Sequence, residues 1–493
     1  MIVNNTFKQK KIYEIYLNYI YKNKPQKYQT MEYNSEKSVD NLHQKQKNFF
    51  NTQVTQSTVF RIKKLKALKK EIQKREKDIY DALKKDLSKS GFESMTSEVV
   101  LVEKEISKMI RMLPLWNRNH RAKSSLINFP SKDYILPEPY GNTLIISPWN
   151  YPFQLAITPL VGAVAAGNTV VLKPSEFAPQ TGNLIKSIIK VVFDHDHVAV
   201  VEGDASTATL LLKKKWDFIM FTGSTSIGKI VAKAAAEHLT PTTLELGGKS
   251  PCIVDNTAPL RITSKRIVWG KFLNCGQTCI APDYLLVHEK IKDQLTQELI
   301  FQIEKAYGKN QQDSPDYGRI AHQNHFNKLK ASLANQNVIY GGNTDEKDFF
   351  FGPTLVDNPN LDSELMKEEI FGPILPIISY SNEEMIHKLL ENRERPLAFY
   401  VFSKRKKFID KLFKRYSFGG GVANDSIIQF ANDNLPFGGV GHSGMGAYHG
   451  KYSFKNFSHE KPVIKRSFLF DLPGRYAPYP KSLSLLKFLL KNL

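Results

Sequence analysis

Thr143-Leu144-Ile145-Ile146, Thr169-Val170-Val171-Leu172, Val198-Ala199-Val200-Val201 and Asp217-Phe218-Ile219-Met220-Phe221 are the runs whose reading decides the fold. Each is short and rich in aliphatic or β-branched residues, as a buried strand requires. The stretches between them, 153–166, 178–192 and 205–213, have the length and spacing of helices, and another follows at 225–238. Strand, helix, strand repeated at this interval implies right-handed crossovers and a parallel sheet covered on both faces. Ligands of such sheets bind at the carboxyl ends of the strands. The most apolar stretch, 155–172, carries Pro159, Gly162, Gly167 and Asn168, so it reads as a buried helix followed by a buried strand and not as a membrane span.

Upstream, residues 43–117 are Lys- and Glu-rich with apolar residues three and four apart, as in Ile62, Leu65, Leu68 and Ile72, which predicts helices flanking a core. Downstream of Glu245 a second α/β region runs to about 458, with apolar strands such as Cys252-Ile253-Val254. Segments 118–136 and 459–477 read as extended and Pro-interrupted. The tail from Ser482 to Leu493 reads as a short amphipathic helix, with Leu486, Leu489, Leu490 and Leu493 on one face; twelve residues lie on a surface but do not cross a membrane. Residues 1–30 hold six Lys, one Glu and no glycine, and Met31 begins a stretch that reads like an ordinary protein start, so the segment is read as an extension or a basic arm.

With 493 residues, 41% hydrophobic and 24% charged, the chain has material for a large core, which excludes a mostly disordered protein. Three cysteines exclude a disulfide framework and, with no signal-peptide pattern, point to a reducing, cytoplasmic compartment. The net charge of +21 raises the question of nucleic acid. The excess sits in residues 1–30, 61–90, 401–420 and 461–493, and the rest of the chain is slightly acidic. No RNP, zinc-finger or basic-zipper pattern accompanies it. The reading is therefore a solvated basic surface and no nucleic-acid partner, with adhesion to an anionic membrane as the alternative.

Several residues could carry chemistry. In Asn274-Cys275-Gly276-Gln277-Thr278-Cys279-Ile280-Ala281-Pro282-Asp283, a cysteine between a Gly-containing turn and a Pro can expose its sulfur beside backbone N–H donors, the setting a thiolate nucleophile needs. Cys252, among apolar residues, reads as core. Two cysteines four apart without a Cys/His partner pair make a poor metal site, so no metal is expected. Glu245 ends an apolar strand before Gly247-Gly248: either a desolvated base or an ordinary strand-end acid. Asn150, in Pro148-Trp149-Asn150-Tyr151-Pro152, follows the first strand and could donate to an oxyanion or cap a helix. Lys173-Pro174-Ser175-Glu176 closes the second strand, where a ribose-binding acid and a cation are expected in a dinucleotide site. Phe221-Thr222-Gly223-Ser224-Thr225-Ser226-Ile227-Gly228 closes a later strand and opens a helix; it is not a GxGxxG, but it offers N–H groups and a helix dipole to a pyrophosphate.

Together these motifs resemble the aldehyde dehydrogenase superfamily from about residue 45 to the C-terminus, in the expected order and without a large gap. Gly276-Gln277-Thr278-Cys279-Ile280-Ala281-Pro282-Asp283-Tyr284 is similar to the class 3 branch, which includes fatty aldehyde dehydrogenases. So is Pro436-Phe437-Gly438-Gly439-Val440-Gly441-His442-Ser443-Gly444-Met445-Gly446 with Tyr448-His449-Gly450-Lys451. The resemblance implies Cys279 as nucleophile, Glu245 as the base for the hydrolytic water, and Asn150 with the Cys279 backbone N–H as oxyanion donors. It implies Lys173 and Glu176 on the adenine ribose, Gly223, Ser224 and Gly228 at the pyrophosphate, Glu369 on the nicotinamide ribose and Phe371 beside the nicotinamide. Cys275 falls outside these roles, with oxidative pairing to Cys279 as its one suggested use.

The resemblance also implies an architecture: a basic extension, 1–42; an α/β, Rossmann-like NAD(P)-binding domain, 43–117 and 137–243; an α/β catalytic domain, 244–458; a small β bridging element for oligomerisation, 118–136 and 459–477; and an amphipathic helix, 478–493. The expected activity is oxidation of medium- or long-chain aliphatic or aromatic aldehydes to acids. NAD is the expected cofactor, since Glu176 repels a 2′-phosphate, with NADP second. A homodimer is expected, with membrane contact optional. The rival readings are a CoA-acylating dehydrogenase and a non-catalytic structural or membrane-surface protein on this fold.

Overall fold

The computed structural model describes residues 33, 35–125, 128, 130–469, 471, 476–479, 483, 484, 487 and 491. The four apolar runs form the strands Asn142–Ile146, Thr169–Lys173, Val198–Val200 and Phe218–Thr222, and Thr242–Glu245 joins them in one parallel sheet. Both faces are covered, so every residue of Asn142–Ile146 and Thr169–Lys173 is buried, which is why these strands read as continuous apolar runs without alternation. Across the sheet the order is Gly444–Met445, Thr242–Glu245, Phe218–Thr222, Asn142–Ile146, Thr169–Lys173, Val198–Val200. The chain therefore builds to one side of Asn142–Ile146 and then to the other. The crevice between the carboxyl ends of Asn142–Ile146 and Phe218–Thr222 is the switch point at which such sheets take a ligand.

The stretch after the first strand forms the helix Gln154–Ala166, buried along its whole length, and ends at Gly167. Upstream lie the helices Glu36–Asn51, Thr58–Lys74, Glu76–Leu87 and Val100–Trp116. Leu65, Leu68 and Ile72 are fully buried on the inner face of Thr58–Lys74, each contributing about 2 kcal/mol. The first helix starts earlier than its apolar spacing suggests. Ser35 and Ser38 close a capping box there, whereas its inner face offers only Val39, Leu42 and Gln46 to a pattern search.

A second sheet runs Val338–Tyr340, Thr354–Asp357, Ile374–Tyr380, Tyr284–His288, Pro251–Val254, Ala398–Phe402, Gly420–Ala423, parallel except for its first strand. The two segments read as extended meet in a three-stranded antiparallel sheet of His120–Arg121, Ser131–Pro139 and Ser458–Arg466, where Ser458 pairs with Pro139 and Arg466 with Ser131. No helix among the described residues is long and apolar enough to cross a membrane. Residues 1–32 and the apolar stripe Leu486, Leu489, Leu490 and Leu493 lie outside the described residues.

His197 is buried beside Phe49, Phe60 and Phe193, and burial holds its imidazole down at about 4. Between pH 6.5 and 4 the unfolded chain takes up a proton that folded His197 refuses, so stability falls as pH drops through that window. The variant His197→Phe, which keeps an aromatic ring in place, is expected to show a shallower fall in Tm between pH 6.5 and 4 in thermal scans.

Candidate active site

Helix Leu260–Phe272 ends just before a turn of unusual backbone: Asn274 (φ 53°), Cys275 (φ 54°) and Gly276 (φ 73°) are left-handed in succession. For the two residues with a Cβ this costs roughly 1–2 kcal/mol each, so the surroundings must hold it. Asn274 Nδ2 donates to the carbonyls of Asn150 (2.7 Å) and Gln277 (3.1 Å). Gln277 Nε2 donates to the carbonyls of Asn274 (3.0 Å) and Arg319 (2.9 Å), and its Oε1 accepts from Ala321 N–H (2.9 Å). A Cβ on Gly276 would stand 2.3 Å from the Gly372 carbonyl oxygen, so the turn admits only glycine there. Its product is the exposure of Cys279, half-buried, on the wall of a cavity of about 1200 Å³.

The Cys279 thiol is pushed up by burial and by the nearby Glu369 and Glu245 carboxyls; the backbone N–H groups of Cys279 and Ile280 pull the other way. At neutral pH the sulfur keeps its proton until a base or a positive charge reaches it. Glu245, last residue of the strand Thr242–Glu245, is 3% exposed and lines the same cavity. Burial raises its carboxyl well above the ordinary range, and neither oxygen has a hydrogen-bond partner among the described residues. A buried, unpartnered carboxyl facing a cavity can exchange a proton with a water or a substrate, and it accepts one in its ionised form. Asn150, 2% exposed, donates one amide hydrogen from Nδ2 to the Gln277 carbonyl (3.0 Å), which fixes the amide plane and leaves the second N–H.

Ser224 caps the helix Thr225–Glu237, and Gly223 and Ser224 line the same cavity with that helix's N-terminus. Gly228 does not line it: a Cβ there would meet the Leu246 side chain at 2.5 Å, so this glycine lets the helix lie close against the sheet. Lys173 and Glu176 also stand off the cavity, joined to each other at 3.2 Å where the strand Thr169–Lys173 ends. Glu369 is held up at about 8 by burial first and Asp283 second, against the Gly248 N–H and the Lys249 ammonium. Phe371 is left-handed (φ 54°), with its carbonyl bonded to His325 Nε2 (2.7 Å) and its ring edge-on to Trp149 (5.4 Å).

The structure thus brings Asn150, Gly223, Ser224, Glu245, Cys279, Glu369 and Phe371 to one cavity. A helix N-terminus at a strand end, a buried carboxyl and an aromatic ring lining the cavity that also carries a thiol fit a nicotinamide dinucleotide. Among the described residues no group of three His, Cys, Asp or Glu side chains could hold a metal ion.

Sequence reasoning missed the residues that hold this site. Lys249 binds Asp283 (2.6 Å) and the carbonyls of Leu365 (2.7 Å) and Glu368 (2.9 Å), while Asp283 accepts the Ile370 N–H (3.0 Å), so the pair clamps the loop that carries Glu369. The two glycines before Lys249 and the Pro before Asp283 were the only local signals. Cys275 is fully buried, off the cavity, with its thiol at Tyr317 OH (3.5 Å) and the Phe351 carbonyl (3.8 Å), and burial pushes it up to about 12. This environment gives no support to pairing with Cys279. Peroxide inactivation is expected to be unchanged in Cys275→Ser; loss of that sensitivity would restore the pairing.

Residues 17–463 match the model of the aldehyde dehydrogenase family. The 4,4'-diaponeurosporen-aldehyde dehydrogenase of Staphylococcus aureus is 45% identical over 448 residues, covering 90% of this chain and 98% of that protein. Aldehyde dehydrogenase family 3 member A2 of Rattus norvegicus is 45% identical over 425 residues, covering 86% and 88%. A solved structure of Staphylococcus aureus AldH in a substrate-bound state superposes with a TM-score of 0.89 at 43% identity, covering 92% of this chain and 99% of that one.

Proposed function

The chain belongs to the aldehyde dehydrogenase family, whose members oxidise aldehydes with NAD(P), and from that premise we propose that it converts medium- and long-chain aliphatic or aromatic aldehydes to carboxylic acids through a Cys279 thioester. The observation that carries this reading is the meeting of Cys279, Asn150 and Glu245 in one cavity. The Cys279 thiol gives up its proton to solvent, the thiolate sulfur attacks the aldehyde carbon, and the carbonyl π electrons move onto oxygen. The resulting oxyanion is held by the free Asn150 amide N–H and the Cys279 backbone N–H. A nicotinamide cofactor held by this cavity would supply the hydride acceptor and a positive charge. Loss of hydride leaves an acyl thioester on Cys279. Glu245 then takes a proton from water, the hydroxide adds to the acyl carbon, the C–S bond breaks, and the acid leaves as the sulfur regains its proton.

Glu369 is suited to a ribose hydroxyl and Phe371 to the nicotinamide face, while Gly223 and Ser224 offer N–H groups and a helix dipole to phosphate. Lys173 and Glu176, set at the end of the next strand, are assigned to the adenine ribose. Because Lys173 is already neutralised by Glu176, a 2′-phosphate meets a carboxylate without a spare cation, which favours NAD, with NADP second. Leu155, Trp149, Phe437 and Tyr448 give the cavity an apolar and aromatic wall suited to an alkyl or aryl aldehyde. The strand Ser458–Arg466 is an edge with Ile464 half exposed, and we assign it to a homodimer contact. The assigned location is the cytoplasm, with the basic segments available to an anionic membrane surface.

The test is the initial rate of NADH and NADPH formation with aldehydes from acetaldehyde to hexadecanal, benzaldehyde and 4,4'-diaponeurosporenal, with and without CoA. A CoA-independent rate that rises with chain length and is faster with NAD supports the reading. Turnover only with CoA would replace hydrolysis by thiol transfer.

A further inference from the structure

Behind Asn150, outside the cavity, lies an ion pair with no solvent contact. Lys89 and Glu98 are both 0% exposed, with Nζ and Oε1 2.5 Å apart. The second carboxylate oxygen of Glu98 accepts the N–H groups of Phe153 (3.0 Å) and Gln154 (2.9 Å), the unsatisfied donors at the start of helix Gln154–Ala166. Lys89 donates a second hydrogen to the Asn150 carbonyl (2.9 Å), and its Nζ lies 4.0 Å from the centre of the Tyr151 ring. The Tyr151 hydroxyl reaches Thr278 Oγ1 (2.6 Å), one residue before the nucleophile. The Asn150 carbonyl also accepts from Asn274 in the left-handed turn. Among the described residues, every hydrogen bond that the pair makes beyond itself goes to the loop 150–154, while the buried Glu93 carboxyl acts on both charges electrostatically.

Burying two charges costs more than an apolar pair of the same volume, so stability alone does not account for them. What they supply is geometry. One carboxylate fixes where the helix starts, and one ammonium fixes the Asn150 backbone relative to that start. The amide of Asn150 is then left no freedom except the rotamer that Gln277 selects.

We infer that Lys89 and Glu98 act as a positioning pair for the oxyanion site: they set the Asn150 amide at the distance from the Cys279 sulfur that carbonyl attack requires. This rests on the assignment of Asn150 and Cys279 made above. The pair touches no reacting atom, and it acts on the tetrahedral intermediate only through Asn150.

The experiment measures the pre-steady-state burst of reduced cofactor with an aldehyde, for the full chain and for Asn150→Ala, Lys89→Met/Glu98→Gln, Lys89→Arg, and the combination of Asn150→Ala with the double variant. Each is also titrated with cofactor and alkylated at Cys279 with iodoacetamide, a displacement that forms no oxyanion. Asn150→Ala is expected to slow the burst roughly 10²-fold. Lys89→Met/Glu98→Gln is expected to slow it by about the same factor with little further loss in the combination, since both act on one contact. Alkylation rate and cofactor affinity should stay within about twofold, because a displaced amide does not change thiol access. Lys89→Arg keeps the buried charge but cannot place one nitrogen between Glu98 and Asn150, and it should lose roughly tenfold while staying folded at the assay temperature. It carries the test if the double variant does not fold. A full burst in a folded Lys89 variant, while Asn150→Ala is slow, would overturn the inference alone. So would losses that multiply in the combination, or alkylation slowed as much as the burst. A full burst in Asn150→Ala would overturn the oxyanion assignment and the inference with it.

Discussion

Cys279→Ala is expected to remove aldehyde oxidation altogether, with NAD(P)H formation falling on the order of 10⁶-fold to background, as when a covalent nucleophile is deleted. No other thiol can substitute. Cys252 and Cys275 are both fully buried, neither lines the cavity, and burial pushes both thiols up, Cys275 to about 12. Cofactor affinity should be retained, since Gly223, Ser224 and Glu369 are untouched by the change. Residual turnover within a hundredfold of the parent would mean that hydride leaves a hydrate and not a thiohemiacetal, and the covalent route would fall.

Glu245→Gln is expected to separate the two halves of the reaction. The first turnover should still release one equivalent of reduced cofactor per site, because attack and hydride loss need the sulfur and Asn150. The steady state should then drop by roughly 10²–10⁴-fold, the usual share of a general base. The pH dependence has a definite sign. Burial raises the Glu245 carboxyl well above its ordinary value, so its basic form appears only as pH rises, and the hydrolysis-limited rate should climb toward alkaline pH. That limb should vanish in Glu245→Gln. Stopped-flow bursts and kcat profiles check both points, and an unchanged steady-state rate would remove Glu245 from the base role.

The strands that build the first sheet were legible because both of its faces are buried, so each strand is an unbroken apolar run. Cys279, Glu245 and Asn150 stood out as candidates beside glycine turns and strand ends, but the residues alone left Glu245 open as a strand-end acid and Asn150 as a helix cap, and their roles came with the family resemblance. The supporting residues did not stand out. Lys89 and Glu98 sit in a stretch that reads as Lys- and Glu-rich helices flanking a core, and nothing local distinguishes a buried ammonium from an exposed one. Arg61 teaches the same lesson: it belongs to a basic segment, yet it is 1% exposed and bonded to the carbonyls of Thr55 (2.5 Å), Gln56 (2.9 Å) and Ala165 (3.1 Å). Such charges are placed by contacts with residues far along the chain, 61 positions between Lys89 and Asn150 and 104 between Arg61 and Ala165, which no periodicity encodes. The left-handed backbone at Asn274 and Cys275 was equally silent, since neither residue is glycine and the stabilising bonds come from side chains of Asn274 and Gln277 themselves. The antiparallel strand Gly444–Met445 beside Glu245 escaped for a different reason: it is too short and too glycine-rich to carry an apolar pattern.

The central claim is that Cys279 carries the acyl group and Glu245 releases it. Its most direct test is mass spectrometry of intact and digested Glu245→Gln protein quenched in acid after mixing with NAD and decanal. The account predicts one decanoyl group per chain, lost on treatment with hydroxylamine and mapped to the peptide that contains Cys279. No adduct, or an adduct on any other residue, would contradict it.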